Sequence, residues 1–131
     1  MTRYLVMADA LQVTKRYGFY VRDAGLLASA LARPSASMFG TDAYSTLDRK
    51  AAALIESLVR NHPLVDGNKR TGWTLFVAFL WINGFAHNFS TEEGFDLVVG
   101  VAESRIDLDE SERRIREHRV DRPQELNDWH E

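Results

Sequence analysis

Residues 68–83, NKRTGWTLFVAFLWIN, are the stretch of this chain that decides its fold. Almost every position between Trp73 and Ile82 is apolar, so a helix built from them has no face that suits water. The longest apolar run, Leu75–Ile82, is far shorter than the roughly 20 residues of a membrane-spanning helix. The pattern therefore predicts a helix that ends near Gly84 and is surrounded by other helices.

The segment before this stretch has the spacing of an amphipathic helix. Apolar residues recur three and four positions apart over residues 47–58, after a capping hydroxyl at Ser45 or Thr46. Pro63 ends this helix near Asn61, because a proline disfavours helical geometry in the residue before it. A short connection thus joins two central helices.

Four further helices are predicted, two before this central pair and two after it. Their signals are an apolar face from Val6 to Tyr17 ended by Gly18, a cap at Asp23 with a stop at Pro34, the capping box of Ser90 and Glu93, and a cap from Asp109 and Glu112 before Ile115. Phe85–Phe89 is either an extended connector or a small hairpin arm. The sum is an all-α fold, a compact bundle of about six helices.

The composition is that of one ordinary globular domain. Of 131 residues, 45% are hydrophobic and 27% are charged, and we expect residues 1–120 to form a single domain. Residues 121–131 are polar and are predicted to be a frayed tail. Without cysteine the chain has no disulfide, no thiolate metal site and no thiol nucleophile.

The charge and the N-terminus bear on partners and location. A formal net charge of −3 gives no reason to expect direct nucleic-acid binding, which usually comes with a clustered basic surface. The first residues lack the apolar core and the cleavage site of a secretory signal, and no segment is long enough to span a membrane. A cytoplasmic protein is expected.

The connection between the two central helices, His62-Pro63-Leu64-Val65-Asp66-Gly67-Asn68-Lys69-Arg70, has more polar groups than a connection requires. The start of a helix presents unpaired backbone N–H groups and the positive end of the helix dipole, so it favours an anion. Lys69 and Arg70 add two positive charges that oppose this dipole unless an anion binds there. Asn68 can donate through its amide, and Gly67 allows a phosphate to approach the backbone closely.

Two other residues of the connection carry reactive groups. Asp66 is its only carboxylate, and Mg²⁺ is typically held by one or two carboxylates together with nucleotide phosphates. The neutral imidazole of His62 can take a proton from a substrate hydroxyl. A base, a metal ligand and an anion site together indicate phosphoryl or nucleotidyl transfer. On residue types alone, a plain turn with solvated charges remains the alternative.

These residues resemble the signature of the Fic/Doc family, in which a histidine is followed by an aromatic residue, an acidic residue, Gly or Ala, Asn, a variable residue and Arg. The matching residues are His62, Asp66, Gly67, Asn68 and Arg70. Fic adenylyltransferases usually have a glycine after the Asn and a second arginine three positions beyond the first. This chain has Lys69 and Trp73 at those positions.

Other features resemble the Doc branch of the family. They are the run Asn68-Lys69-Arg70-Thr71, the segment from Arg22-Asp23-Ala24-Gly25-Leu26-Leu27 through Ala32-Arg33-Pro34, and Gly40 with Tyr44. The likeness thus extends over about residues 16–85. Two positions depart from the pattern, because Leu64 replaces the usual phenylalanine and Thr74 stands where an asparagine is frequent.

The resemblance implies a small α-helical core in which the signature joins two central helices, and it implies a role for each residue. His62 is the catalytic base, Asp66 is the magnesium ligand, Gly67, Asn68, Lys69 and Arg70 form the phosphate site, and Arg60 matches an arginine that contacts substrate or phosphate.

Doc toxins pass the γ-phosphate of ATP to a threonine of elongation factor Tu and halt translation. A disordered segment of an antitoxin silences them by folding as a helix in a groove of the toxin. The resemblance therefore implies a toxin of a toxin–antitoxin pair, with ATP as co-substrate and Mg²⁺ as cofactor. Because Lys69 fills space beside the anion site, we expect the nucleotide to bind in the reversed direction, with its γ-phosphate exposed.

Two other functions stay open at this point. One is a Fic-type adenylyltransferase, which would transfer AMP and leave pyrophosphate. The other is a catalytically degenerate Fic domain that acts only as an antitoxin-binding module. The absence of the second arginine argues against the first, and the intact His62, Asp66, Asn68 and Arg70 argue against the second.

Overall fold

The computed structural model describes residues 1–124. These residues form six α-helices and two small two-stranded sheets, which confirms the predicted all-α bundle. In chain order the elements are α1 (Met7–Tyr17), α2 (Ala24–Ala32), a 3-10 helix (Arg33–Ser35), β1 (Ser37–Met38), β2 (Thr41–Asp42), α3 (Leu47–Arg60), α4 (Asn68–Ile82), β3 (Phe85–His87), α5 (Thr91–Ala102), α6 (Leu108–His118) and β4 (Arg119–Asp121). No helix in this part of the chain has the length and apolar character to cross a membrane.

Helices α3 and α4 form the centre of the bundle, as the apolar pattern predicts. α3 packs against α2, α4, α5 and α6, while α4 also packs against α1, α5 and β3. At Gly72 the two central helices approach each other closely, because a Cβ at that position would lie 2.9 Å from Cγ1 of Val59. This packing fixes the end of α3 and the start of α4, and therefore both ends of the connection that carries the polar residues.

Three predicted helix caps are confirmed. Asp23, Thr46 and Ser90 each accept a hydrogen bond from the backbone N–H three residues further on, at 3.0, 3.0 and 3.1 Å. Glu93 completes the capping box by accepting from the Ser90 N–H at 2.9 Å. Gly18 follows α1 in the left-handed conformation, with a φ of 75°, as expected of a residue that ends a helix.

The start of α6 differs from the prediction. Asp107 caps this helix by accepting from the Glu110 N–H at 2.8 Å, so the helix begins before the predicted cap at Asp109 and Glu112. Those two carboxylates are instead directed towards α3, where both accept from Arg49, at 2.7 and 3.0 Å. Their spacing reflects a contact between helices rather than a helix start.

Strands β3 and β4 form a sheet from residues distant in sequence. Phe85 pairs with Asp121 and His87 with Arg119 in antiparallel register, so Phe85–His87 is a strand rather than a plain connector. The predicted tail begins at Asp121, yet Asp121 belongs to β4 and Arg122 donates to the Trp81 carbonyl at 2.8 Å. Residues 125–131 of the predicted tail lie outside the described residues.

Candidate active site

The connection between α3 and α4 is held against the segment between α1 and α2. Val21 forms a β-bridge with Leu64, and the Val65 N–H donates to the Tyr20 carbonyl at 2.9 Å. The side chain of Leu64 is 1% exposed, so leucine anchors the connection in the core at the position where the family has phenylalanine. The connection is therefore a fixed part of the structure.

Asn68, the first residue of α4, closes the connection from the other side. Its Oδ1 accepts from the Leu64 N–H at 2.9 Å, and its Nδ2 donates to the Leu64 carbonyl at 3.1 Å. The side-chain amide is therefore engaged with the backbone, whereas the sequence suggested that it donates to an anion. Its backbone N–H, at the start of α4, remains suited to anion binding.

The structure shows why residue 67 is a glycine, for a reason that the sequence did not reveal. Its φ is 80°, and a Cβ at this position would lie 2.3 Å from Cε2 of Phe19. The space left by the missing side chain is thus occupied by an aromatic ring of the chain itself, whereas we expected close approach by a phosphate. Gly67 also caps α4 without any side-chain hydrogen bond, which leaves the start of this helix open to a ligand.

Lys69 and Arg70 are exposed in the first turn of α4. The guanidinium of Arg70 lies over the ring of Tyr17, 5.1 Å from its centroid. Hydrogen bonds with Thr74, and then with Arg70, lower the pKa of the Tyr17 phenol.

His62 and Asp66 are both exposed. Oδ1 of Asp66 accepts from the Gly67 N–H at 2.7 Å, which leaves its second oxygen free to face solvent or a metal ion. Nδ1 of His62 lies 3.5 Å from Nδ2 of Asn68, a contact at the outer limit for a hydrogen bond. Such a contact does not fix which ring nitrogen carries the proton.

Arg60 is the predicted site residue that the structure places elsewhere. Its Nε donates to the Val101 carbonyl at 2.8 Å, its Nη2 donates to the Ile106 carbonyl at 3.2 Å, and its Nη1 pairs with Glu56 at 3.2 Å. The guanidinium therefore bridges α3, the last turn of α5 and the turn between α5 and α6. These contacts give Arg60 a structural role, which stands as the alternative to the predicted contact with substrate or phosphate.

A groove opens beside the first turn of α4, which carries Lys69 and Arg70, and it lies between α4 and the β3–α5 segment. Its volume is about 550 Å³, and most of its lining is apolar. Residues from α1 and α4 on its wall are Tyr17, Lys69, Arg70, Trp73 and Thr74; those from the other side include His87, Phe89, Phe95 and Val98. One end of an apolar groove therefore carries the charges of the predicted anion site.

Sequence reasoning missed Tyr17, Phe19 and Arg22. The first two flank Gly18, and the left-handed turn at Gly18 brings one ring over Arg70 and the other over Gly67. Arg22 donates to backbone carbonyls of the connection. The available signal was the Tyr17-Gly18-Phe19 pattern, in which two aromatic residues stand at a helix end.

The arrangement combines an exposed imidazole, a carboxylate with a free oxygen and two cations at an uncapped helix start, all within nine residues. Among residues 1–124, no cluster of three or more His, Asp or Glu could hold a metal ion without other ligands. The class of protein is thus a helical bundle whose central connection exposes an imidazole, a carboxylate and two cations.

Comparison with known proteins gives the class its name. The sequence model of the Fic/DOC family matches residues 3–80, which is more than half of the chain and includes the whole connection. The protein Toxin Doc of Mycolicibacterium smegmatis (strain ATCC 700084 / mc(2)155) is 49% identical over 114 residues, which cover 83% of this chain and 88% of that protein. The chain belongs to the Fic/DOC family.

Proposed function

We propose that this chain is the toxin of a toxin–antitoxin pair and that it transfers the γ-phosphate of ATP to a hydroxyl of a protein target. Elongation factor Tu is the target we put forward, on the resemblance to the Doc branch. The observation that carries the proposal is the exposed pair Lys69 and Arg70 at the uncapped start of α4, beside the exposed His62. Similarity to a protein named Toxin Doc supports the toxin role.

In the proposed reaction, His62 accepts the proton of the target hydroxyl as the hydroxyl oxygen forms a bond to the γ-phosphorus. The bond between that phosphorus and the oxygen bridging to the β-phosphate breaks, and ADP leaves. Lys69, Arg70 and the first backbone N–H groups of α4 bind the negative phosphate oxygens. Arg70 is held in place for this role by the ring of Tyr17 beneath its guanidinium.

Asp66 would hold Mg²⁺ through its free carboxylate oxygen, with phosphate oxygens of ATP as further ligands. When bound, the ion would neutralise charge on the phosphates. The exposure of Asp66 and the lack of a second carboxylate in the connection fit an ion that arrives with the nucleotide.

The alternative of adenylylation has less support because of Trp73. In Fic adenylyltransferases this position usually carries a second arginine, whereas here an indole packs against Phe76 and Phe89, with ring centroids 5.2 and 5.7 Å away. An uncharged ring within an aromatic cluster cannot replace a cation at the phosphates. The two reactions leave different products, since a kinase releases ADP and an adenylyltransferase releases pyrophosphate.

Product analysis separates these two reactions. Purified protein incubated with ATP, Mg²⁺ and elongation factor Tu should release ADP in proportion to modified target, and it should release no pyrophosphate above background. Pyrophosphate without ADP would instead support adenylylation. Release of neither product, with a protein that still binds its antitoxin, would support the binding-module alternative.

The toxin role has a cellular test. Induced expression should arrest bacterial growth, and His62→Ala should abolish the arrest while the purified variant keeps the circular dichroism and melting temperature of the wild type. Arrest that persists in the folded variant would contradict a catalytic role for His62.

The antitoxin is proposed to dock as a helix in the groove between α4 and the β3–α5 segment. The apolar lining suits the apolar face of an amphipathic helix, and Phe95, 69% exposed, stands at its edge. An acidic residue on that helix would meet Lys69 and Arg70 at the cationic end.

A further inference from the structure

We propose that Arg22 is a positioning residue for His62, and this inference rests on the proposed function, in which His62 is the base. Arg22 opens one of the Doc-like segments of the sequence, but its role does not follow from the signature around His62. In the structure it donates to the backbone carbonyl of the residue whose imidazole is proposed to accept the proton, and to that of the preceding residue.

The guanidinium of Arg22 donates three hydrogen bonds to the backbone directly after α3. Its Nε donates to the His62 carbonyl at 2.8 Å. Its Nη2 donates to the same carbonyl at 2.5 Å and to the Asn61 carbonyl at 3.2 Å. Two adjacent nitrogens of one planar group thus hold two successive carbonyls, which is a geometry that the rigid fork of arginine provides.

These hydrogen bonds matter for His62 because its backbone is in an unfavourable conformation. Its φ is 51°, in the left-handed region that L residues with a side chain rarely adopt. Asn61, which follows the last residue of α3, is still in the right-handed helical region, with a φ of −87°. The backbone therefore changes from a right-handed to a left-handed conformation between these two residues. The direction of the His62 side chain depends on how firmly this change is held.

The charge of Arg22 also suits this place. The last carbonyls of α3 have no partner within the helix and carry the negative end of its dipole, so a cation there is favourable. The exposed guanidinium donates to the carbonyls of Asn61 and His62, directly after this helix end. Its position is explained by the backbone of His62 and by the helix end together.

Arg22 is itself fixed relative to the connection. Its own N–H and that of Asp23 both donate to the Pro63 carbonyl, at 2.8 and 3.0 Å. Asp23 in turn caps α2 through the Leu26 N–H, so the segment is continuous with a helix. The side chain of Arg22 therefore extends from a fixed backbone to the carbonyls of Asn61 and His62. The position of α2 thus helps to determine the position of His62.

The experiment compares Arg22→Ala and Arg22→Lys with the wild type and with Arg116→Ala, which removes an exposed arginine of α6. Four quantities are measured: the single-turnover rate of γ-phosphate transfer at saturating ATP, the Kd for ATP by calorimetry, the melting temperature, and the imidazole NMR signals of His62. Those signals are assigned by their absence in His62→Ala.

Arg22→Ala should lower the transfer rate roughly 10- to 100-fold, since a displacement of about 1 Å at a catalytic group has an effect of this size. The Kd for ATP should change less than about twofold, because Arg22 binds backbone rather than phosphate in this account. The His62 signals should shift or broaden. Arg22→Lys should restore the melting temperature, since a cation remains at the helix end, but it should restore only part of the rate because it lacks the fork.

Four results would overturn the proposal: a rate and His62 signals unchanged in Arg22→Ala, a Kd for ATP that weakens in step with the rate, full recovery of rate and signals in Arg22→Lys, or equal losses in Arg116→Ala. The NMR signals also separate this inference from the proposed function. If the wild type transfers no phosphate, the proposed function fails, and the His62 signals alone then decide the role of Arg22. A shift in Arg22→Ala supports it, and unchanged signals contradict it.

Discussion

Single residues of the connection act mainly by fixing its backbone, and only a few are free to meet a ligand. Gly67 accommodates the ring of Phe19, and Asn68 holds both backbone groups of Leu64. His62, Asp66, Lys69 and Arg70 are the charged or titratable side chains of the connection that remain exposed. Because some residues hold the backbone and others stay exposed, a short segment can present a base, a carboxylate and two cations on a backbone with little conformational freedom.

Gly67→Ala should destabilise the protein more than Gly18→Ala. Both glycines have a left-handed φ, of 80° and 75°, which costs an alanine about 1 kcal/mol. Only at Gly67 would the new Cβ meet a side chain, since nothing lies within 4 Å at Gly18. Urea unfolding should therefore show an extra loss of about 1–2 kcal/mol at Gly67, as expected for overpacking. Equal losses would contradict the assigned contact with Phe19.

Lys69→Gly tests whether Lys69 sets the direction of the nucleotide. Removing this side chain recreates the glycine usual in Fic adenylyltransferases, so we expect less transfer of the γ-phosphate and some transfer of AMP. The measurement is the ratio of ADP to pyrophosphate released per modified target. An unaltered ratio with an unaltered ATP affinity would exclude the proposed role of Lys69, and Lys15→Gly, a change at an exposed lysine in α1, serves as the control.

At the scale of elements, the sequence predicted most of the fold because helix signals are local. The caps at Asp23, Thr46 and Ser90 each depend on residues within one turn, and all three are confirmed. The pairing of β3 with β4 joins residues more than 30 positions apart, and no local pattern encodes it. The same limit applies to Arg60, whose contacts with Val101 and Ile106 exist only once α5 and α6 are in place.

Arg60→Ala should weaken the bundle and leave ATP binding intact. Its guanidinium links the end of α3 to the turn between α5 and α6, and losing hydrogen bonds of a charged group there should cost about 1–3 kcal/mol of unfolding free energy. Lys69→Ala is the complementary variant, and it should weaken ATP binding without a change in stability. A Kd for ATP that rises in Arg60→Ala, with stability unchanged, would restore the role inferred from the resemblance.

At the scale of the whole molecule, the candidate site lies where α1, α3, α4 and the segment before α2 converge. The base and the anion site belong to one connection, whose ends are fixed by the central helix pair and whose middle is fixed by residues 20–23. The sequence identified the candidate reactive residues, because their types and spacing are visible in the chain, and their reactivity stays a prediction. It did not predict Tyr17, Phe19 or Arg22, because their contacts with the connection depend on how α1 and α2 pack against it.

The stability of the whole protein should fall as the pH drops below about 6.5, partly because of His87. Burial, and then the nearby charge of His118, lower the pKa of His87 below its usual value of 6.5. The unfolded chain therefore takes up this proton at a higher pH than the folded chain, so stability is retained above pH 6.5 and declines below it. Chemical denaturation between pH 7.5 and 5.5, with both limits chosen to lie about one unit either side of that value, measures the decline.

His87→Asn should reduce this decline, because an amide oxygen can replace Nδ1 as the acceptor of the Phe89 N–H, now at 3.1 Å, without binding a proton. His62→Asn is the matched control at an exposed histidine, and it should keep the wild-type decline. A decline equally steep in His87→Asn and in the wild type would remove His87 as its source.

The central claim is that the His62–Arg70 connection transfers the γ-phosphate of ATP to a protein. Its most direct test incubates the wild type and His62→Ala with Mg²⁺, elongation factor Tu and ATP labelled in either the α- or the γ-phosphate. We expect γ-label alone on the target with the wild type, and no label with His62→Ala. Label from the α-phosphate, or γ-label that persists in His62→Ala, would contradict it.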